Sequence, residues 1–468
     1  MVFQNKQALV IGGSIAGLLA AKVLTKYFEK VIIVERDHFP KQPEDRQGVP
    51  QAPHVHVLLK RGQQILEELF PGIDAELASL DAPSMDWGVA CPWLGFSGWA
   101  PRFNSGLITR NYSRNLLEWT IRRRLATNNR VVFMEAGQVT SLLSNFDQTS
   151  VTGVRVRFRN QPETDIFADL VVDASGRNSQ SPQFLERMGY LSPQQTVIKP
   201  FLGYASRWFQ KPIDLKTDWR CVYVTVQPPN NSRGGAIYQI ENNRWILVLI
   251  GMGRDYPPTN EVGFIEFARS LRSPILYETI KDAQPISPIY AYQRTENRLR
   301  HYDKLARLPE GFVILGDAVC AFNPVYGQGM TTAALGALTL DKCLSQKLYS
   351  NPDRNIIGLP QYFQKQLSKV IAVPWLMTTG EDLRWHTTEG KRPNFKTQLM
   401  QRYLEQVLLL QSESADIHKT FLEVMHMVKP PSEFFQPNII GLMLKRLINH
   451  YKRSSAKPSN DFATEQKV

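Results

Sequence analysis

Residues 8–36 read ALVIGGSIAGLLAAKVLTKYFEKVIIVER, and their spacing decides the fold. Residues 8–11 form a short apolar run that reads as a buried parallel strand. Gly12, Gly13 and Ser14 make a tight turn. Residues 15–28 read as a helix, with Ala16, Gly17, Ala20 and Ala21 on the side that must lie close to the sheet. Residues 31–34 form a second apolar strand that ends on Glu35. Strand, glycine turn, helix, strand and acidic residue in that order make a βαβ unit with a phosphate turn. Gly12 permits the turn, Ser14 stands where a second glycine is usual, and Gly17 lets helix and strand touch. The bare amides at the helix start, around Ile15 and Ala16, face a pyrophosphate favoured by the helix dipole. Glu35, about twenty residues on, suits the two hydroxyls of an adenosine ribose, with Arg36 beside it as a further nucleotide contact. An ordinary βαβ crossover with glycines for packing is the competing reading.

Working outward, the chain's 468 residues suffice for two or three packed units, and 43% hydrophobic content is globular. No apolar run reaches the roughly 18 residues a membrane span needs. The N-terminus runs straight into its first strand without a signal peptide, so a cytoplasmic location is expected. Cys91, Cys221, Cys320 and Cys343 lie far apart without CxxC spacing, as reduced thiols do. The net charge of +12 fits an anionic cofactor or an acidic membrane surface. Nucleic acid is not expected, since no dense basic run with interleaved aromatics occurs.

After a polar, proline-rich loop, His54 and His56 alternate with Val55 and Val57 as on a strand. No third ligand stands at useful spacing, so no metal is expected. Residues 63–70 read as an amphipathic helix. The stretch 81–106 is rich in aromatics among glycines and prolines; it lines a pocket or forms a core of irregular loops. Ser113 is an N-cap candidate for a helix whose first turn carries Arg114, within reach of cofactor phosphates. Strands are expected at 130–135, 151–159 and 167–173. The last ends on Asp173, and Ala174, Ser175 and Gly176 then turn sharply. Between 181 and 300, patches such as CVYVTVQ and RWILVLIG point to an antiparallel sheet inserted into the first domain. The chain returns at 312–345 with a buried strand closed by Gly316 and Asp317, then Pro324, then Gly327 and Gly329 leading into a helix near Met330.

The expected organisation is α/β. A Rossmann-like nucleotide-binding domain (1–180, returning at 301–350) carries an inserted antiparallel-sheet substrate domain (181–300). A helical region (351–453) and a disordered tail (454–468) follow. Within 439–453, Ile440, Leu444, Leu447, Ile448 and Tyr451 share one helical face and Lys445, Arg446, Lys452 and Arg453 the other. That stretch packs on the domain surface or lies on a membrane interface.

Three motifs in order resemble the single-component FAD-dependent monooxygenases, the aromatic hydroxylase and epoxidase group. They are GGSIAG at 12–17, DASGRNS at 173–179 and GDAVCAFNPVYGQGM at 316–330. The segment RQGVPQAPHVHVLL is similar to bacterial members acting on apolar substrates. The resemblance spans roughly residues 5–345. It implies bound FAD, NAD(P)H as transient reductant, O2, and a C4a-hydroperoxyflavin that hydroxylates or epoxidises an apolar or aromatic small molecule. It also implies that Asp317 bonds a ribityl hydroxyl and that Asp173 and Gly176 serve FAD and the nicotinamide. Pro324 would shape the oxygen side of the ring, and the helix after Gly329 would point at the flavin N1–C2 edge. No general base is named. The alternatives are a reductase of the same fold, similar to geranylgeranyl reductases, a flavin-dependent halogenase, whose WxWxIP signature is absent, and a non-catalytic flavin binder.

Overall fold

The computed structural model describes residues 3–350 and 355–455. Its central sheet has the order Phe312–Ile314, Leu170–Asp173, Phe3–Ile11, Phe28–Val34 and Val131–Met134, parallel at every pairing. Ala8, Leu9 and Val10 are fully buried, which is why their run is continuous and not alternating. The first helix, Ile15–Leu24, packs beside the later helix Gly329–Ser350. It is shorter than expected. The Thr25 hydroxyl donates to the Lys22 carbonyl where the chain turns, and the buried Phe28 instead opens the next strand, paired with Phe3.

The expected strand 167–173 is two. Thr164–Phe167 belongs to an antiparallel sheet with Gly137–Ser144 and Val151–Phe158, and Leu170–Asp173 enters the parallel sheet. His54 and His56 lie on no strand. Backbone groups there are met by side chains: the Trp208 indole donates to the Pro53 carbonyl and the His56 ring bonds the His54 carbonyl.

A second sheet has the order Tyr290–Tyr292, Gly203–Gln210, Arg244–Gly251, Arg233–Ile240, Cys221–Val224 and Trp93–Leu94. It is antiparallel except for its last pair, so its edge strand comes from the aromatic stretch before residue 106. Its residues alternate between two cores, as the two-residue period of a strand requires. Ala205, Ile237, Leu247 and Leu249 face helices Glu261–Arg269 and Ile275–Ile280. Tyr204, Ala236, Tyr238, Val248 and Ile250 face the other way.

The C-terminal part is helical: Leu359–Asp382, Phe395–Leu409, Ala415–Met425 and Pro437–Ser455. The face expected to pack on the last helix is displaced by one residue. Ile439 and Met443 sit against Val407, Leu410 and Phe434, whereas Leu444 and Ile448 stay about half exposed. Periodicity fixes that a stripe exists, but the neighbouring helices select which stripe is buried. The side chains of Leu447 and Tyr451 lie outside the described residues. Of the tail expected to be disordered, Ser454 and Ser455 close the last helix, and the rest is likewise outside them. Among the described residues no helix is long and apolar enough to cross a membrane.

Candidate active site

A cavity of about 830 Å³ opens at the carboxyl ends of the parallel strands, where Ile11, Val34 and Asp173 reach its wall. In open α/β sheets this is where the bare helix N-termini converge. The wall takes Gly12, Ser14, Ile15 and Ala16 from the first turn, and Glu35 and Arg36 from the second strand's end. Arg114, Asp173, Gly176, Asp317, Pro324, Gly327, Gly329 and Met330 complete the residues singled out by sequence that line it. Gly13, Gly17 and Gly316 stand behind the wall and shape backbone. A Cβ on Gly17 would lie 1.8 Å from the Gly12 carbonyl oxygen, and Gly316 has φ of +64°.

Glu35 is already engaged. Its carboxylate accepts from the Gly13 amide at 2.7 Å and the Asp37 amide at 3.2 Å, and Arg46 approaches it at 3.3 Å. The same Arg46 binds Asp37 and Glu118, so one buried guanidinium ties the second strand's end to the helix Arg114–Ala126. That helix starts on Ser113, whose hydroxyl accepts from the Leu116 amide. It turns Arg114 inward, where Nη2 donates to the Ser14 hydroxyl at 2.6 Å and pairs with Glu118 at 2.9 Å. Burial alone would push the Glu118 carboxyl up; Arg114 and Arg46 outweigh it and hold it below the usual range.

Two of the wall's polar groups without hydrogen-bond partners among the described residues bear on a bound nucleotide. Arg114 Nη1 is buried with no hydrogen-bond partner. The Asp317 carboxylate has no hydrogen bond or ion pair among the described residues; burial pushes it above the ordinary carboxylate range, with Arg177, Arg114 and Arg300 pulling it back. An anion beside Arg114 and hydroxyl donors beside Asp317 would satisfy both. FAD brings both, as pyrophosphate and ribityl hydroxyls, so the donor set fits that group.

Of Arg46, Gln51, His54, His56 and Arg177 on this wall, sequence reasoning weighed only the two histidines, as ordinary loop and strand residues near a cofactor. The first four lie in the segment already noted for its resemblance, which was signal enough to nominate them. Arg177 links the second and third motifs: it donates to the carbonyls of Glu296 and Phe322. His54 Nδ1 lies 2.9 Å from the Ser206 hydroxyl, its ring edge-on to Tyr204, and burial lowers it to about 4, so it is neutral. The six-stranded sheet contributes only Tyr204, Tyr223, Ala236, Tyr238, Val248, Ile250 and Tyr292 to the cavity. Among the described residues no group of three His, Cys, Asp or Glu side chains could hold a metal.

Residues 5–357 match the family described as FAD binding domain. The chain belongs to this family. It is the family of the single-component flavin monooxygenases, and the protein is an FAD-dependent oxidoreductase. Protein Rv3254 of Mycobacterium tuberculosis is 32% identical over 390 residues, 81% of this chain and 80% of that protein. A kynurenine 3-monooxygenase of Salinispora tropica is 22% identical over 365 residues, 75% and 74% of the two chains. The flavin-dependent brominase Bmp2 superposes with a TM-score of 0.66 at 15% identity, covering 97% of this chain and 100% of that one. PqsL of Pseudomonas aeruginosa, a probable FAD-dependent monooxygenase, gives 0.59 at 15% identity, covering 81% and 97%. At such identities the two structures share the fold with this family member.

Proposed function

We propose that this flavoprotein is a monooxygenase that takes electrons from NAD(P)H and inserts one atom of O2 into an apolar or aromatic small molecule. The observation that carries the reading is the make-up of the cavity wall: nucleotide-suited groups from the turns of the parallel sheet, and tyrosine, valine, isoleucine and alanine from the six-stranded sheet.

Bound FAD would supply electron storage and oxygen activation. The chain's own residues do the rest. Arg114 and the amides at the start of Ile15–Leu24 neutralise the pyrophosphate, and Glu35 takes the ribose. Asp317 would accept from the ribityl chain, and Asp173 and Gly176 would serve both FAD and the nicotinamide. The amides at the start of Gly329–Ser350 would stabilise negative charge on a flavin held there. Pro324 would shape the wall against which a flavin ring lies, and the sheet face would exclude water from it. Peripheral membrane contact through 439–453 belongs to this reading, since Leu444 and Ile448 remain exposed next to Lys445.

The test is substrate-stimulated NAD(P)H oxidation under labelled O2. One labelled atom in the product is expected. A product reduced without label would replace this reading with a double-bond reductase of the same fold.

A further inference from the structure

The loop that carries Pro324 is held from behind by a helix outside the nucleotide-binding sheet. Asp382, the last residue of Leu359–Asp382, is fully buried. Its carboxylate accepts from Asn297 Nδ2 at 2.6 Å, from Asn323 Nδ2 at 2.9 and 3.1 Å, and from the Tyr326 hydroxyl at 2.8 Å. The amides it holds are in turn used by the loop backbone. Asn297 Oδ1 accepts from the Asn323 amide at 2.7 Å, and Asn323 Oδ1 from the Val325 amide at 3.2 Å. One helical turn earlier, the Thr378 hydroxyl donates to Gln328 Oε1 at 2.7 Å. Residues four apart share a helix face, so this one face grips both sides of the Pro324–Gly327 bend. Pro324 itself is exposed on the cavity wall.

We infer that Asp382 is a positioning residue that fixes the height and tilt of the Pro324 loop over the flavin site; this rests on the flavin reading above. No cation is hydrogen-bonded or ion-paired to its carboxylate among the described residues. Burial pushes the group up to about 7, against hydrogen bonds from Tyr326, Asn297 and Asn323 that pull it down. A core aspartate kept at that cost, with every oxygen turned to one loop, marks a device for holding geometry. Alanine there would release Asn323 and Tyr326 of the loop together with Asn297 of the strand Asn297–Arg300.

Three readouts test this on full-length protein with and without FAD: amide exchange, FAD affinity by flavin-fluorescence titration, and visible circular dichroism of the bound flavin. For Asp382→Ala, the amides of Asn323 and Val325 should exchange about tenfold faster, FAD should bind about tenfold more weakly, and the visible dichroism should change shape. Tyr326→Phe, which removes one hydrogen bond, should move all three the same way by about two- to threefold. Asp382→Ala with exchange, affinity and dichroism like wild type overturns the inference, even if its melting temperature falls. If Asp382→Ala does not fold, Tyr326→Phe decides alone by the same criteria. A wild type that takes up no flavin rejects the flavin reading instead, and the exchange measurement still shows whether Asp382 holds the loop.

Discussion

The turn at residues 12–17 and the turn at residues 327–329 both set glycines at the start of a helix that faces the cavity, yet the glycines meet different surroundings. In the first, added methyl groups would strike protein. Gly12 has φ of +99° and its Cβ would sit 2.7 Å from the Ala174 carbonyl; that of Gly17 would sit 1.8 Å from the Gly12 carbonyl. In the second, a Cβ on Gly329 would meet nothing within 4 Å. The neighbouring carboxylates repeat the contrast: Glu35 already accepts from the protein's own donors and keeps room for one more, and Asp317 has none among the described residues. The first turn is therefore frame and ligand site together, whereas the second is kept open for a ligand. Spelling alone does not separate these uses of glycine; the space around each Cα does.

The largest expected effect falls on the frame. Gly17→Ala sets a methyl group against a backbone oxygen that no rotamer can move, so helix and strand must separate, at a cost of about 4 kcal/mol. Denaturant unfolding of the protein without FAD measures this, and an unchanged midpoint would break the comparison at its root. Glu35→Ala comes next. It strands the Gly13 and Asp37 amides and removes a buried partner of Arg46, for a loss of about 3 kcal/mol in the same assay.

Asp317→Ala reverses the pattern. It removes a desolvated carboxylate with no hydrogen-bond or ion-pair partner among the described residues, so stability without FAD should hold or rise. The affinity for FAD should fall by about 2 kcal/mol, the worth of a hydrogen bond to a charged group. A variant that unfolds earlier but binds FAD normally would reassign Asp317 to the frame.

The parallel half of this molecule was legible because its cues are local. A buried parallel strand must be continuously apolar, a close helix crossing demands glycine, and a strand tip bears its acid at a fixed distance. The helix start at Arg114 was legible from Ser113 for the same reason. What the sequence hid depends on contacts between distant segments. Where residues 164–173 divide between two sheets, the Ala168 amide donates to the Thr152 carbonyl and the Asp169 amide to the Gln7 carbonyl, and nothing local marks either distant partner. Trp93–Leu94 gives no local sign that it will border strand Cys221–Val224. Arg46 reads as one more basic residue in a loop, because its meaning lies in Glu35, Asp37 and Glu118 meeting at one point. The last helix shows the limit within a single element: periodicity gave a stripe, but Ile439 and Met443 were chosen by the cluster around Val407 and Phe434.

The smallest expected effect is the most discriminating. Gly329 opens the helix Gly329–Ser350 without positive φ, and alanine is the better helix former by up to about 1 kcal/mol. Gly329→Ala should therefore leave the protein without FAD as stable as before, or slightly more so. The new methyl group would occupy space that the protein leaves empty in front of the helix amides. If a flavin ring edge approaches those amides, the methyl group holds it off, and FAD binding should weaken by about 1 kcal/mol, roughly fivefold. The two numbers must move apart for the comparison to stand. A loss of stability would show that this glycine, like Gly17, serves packing. Unchanged FAD affinity would show that the ligand's ring does not reach the helix start, and the amides there would lose their assigned part in holding charge on the reduced ring.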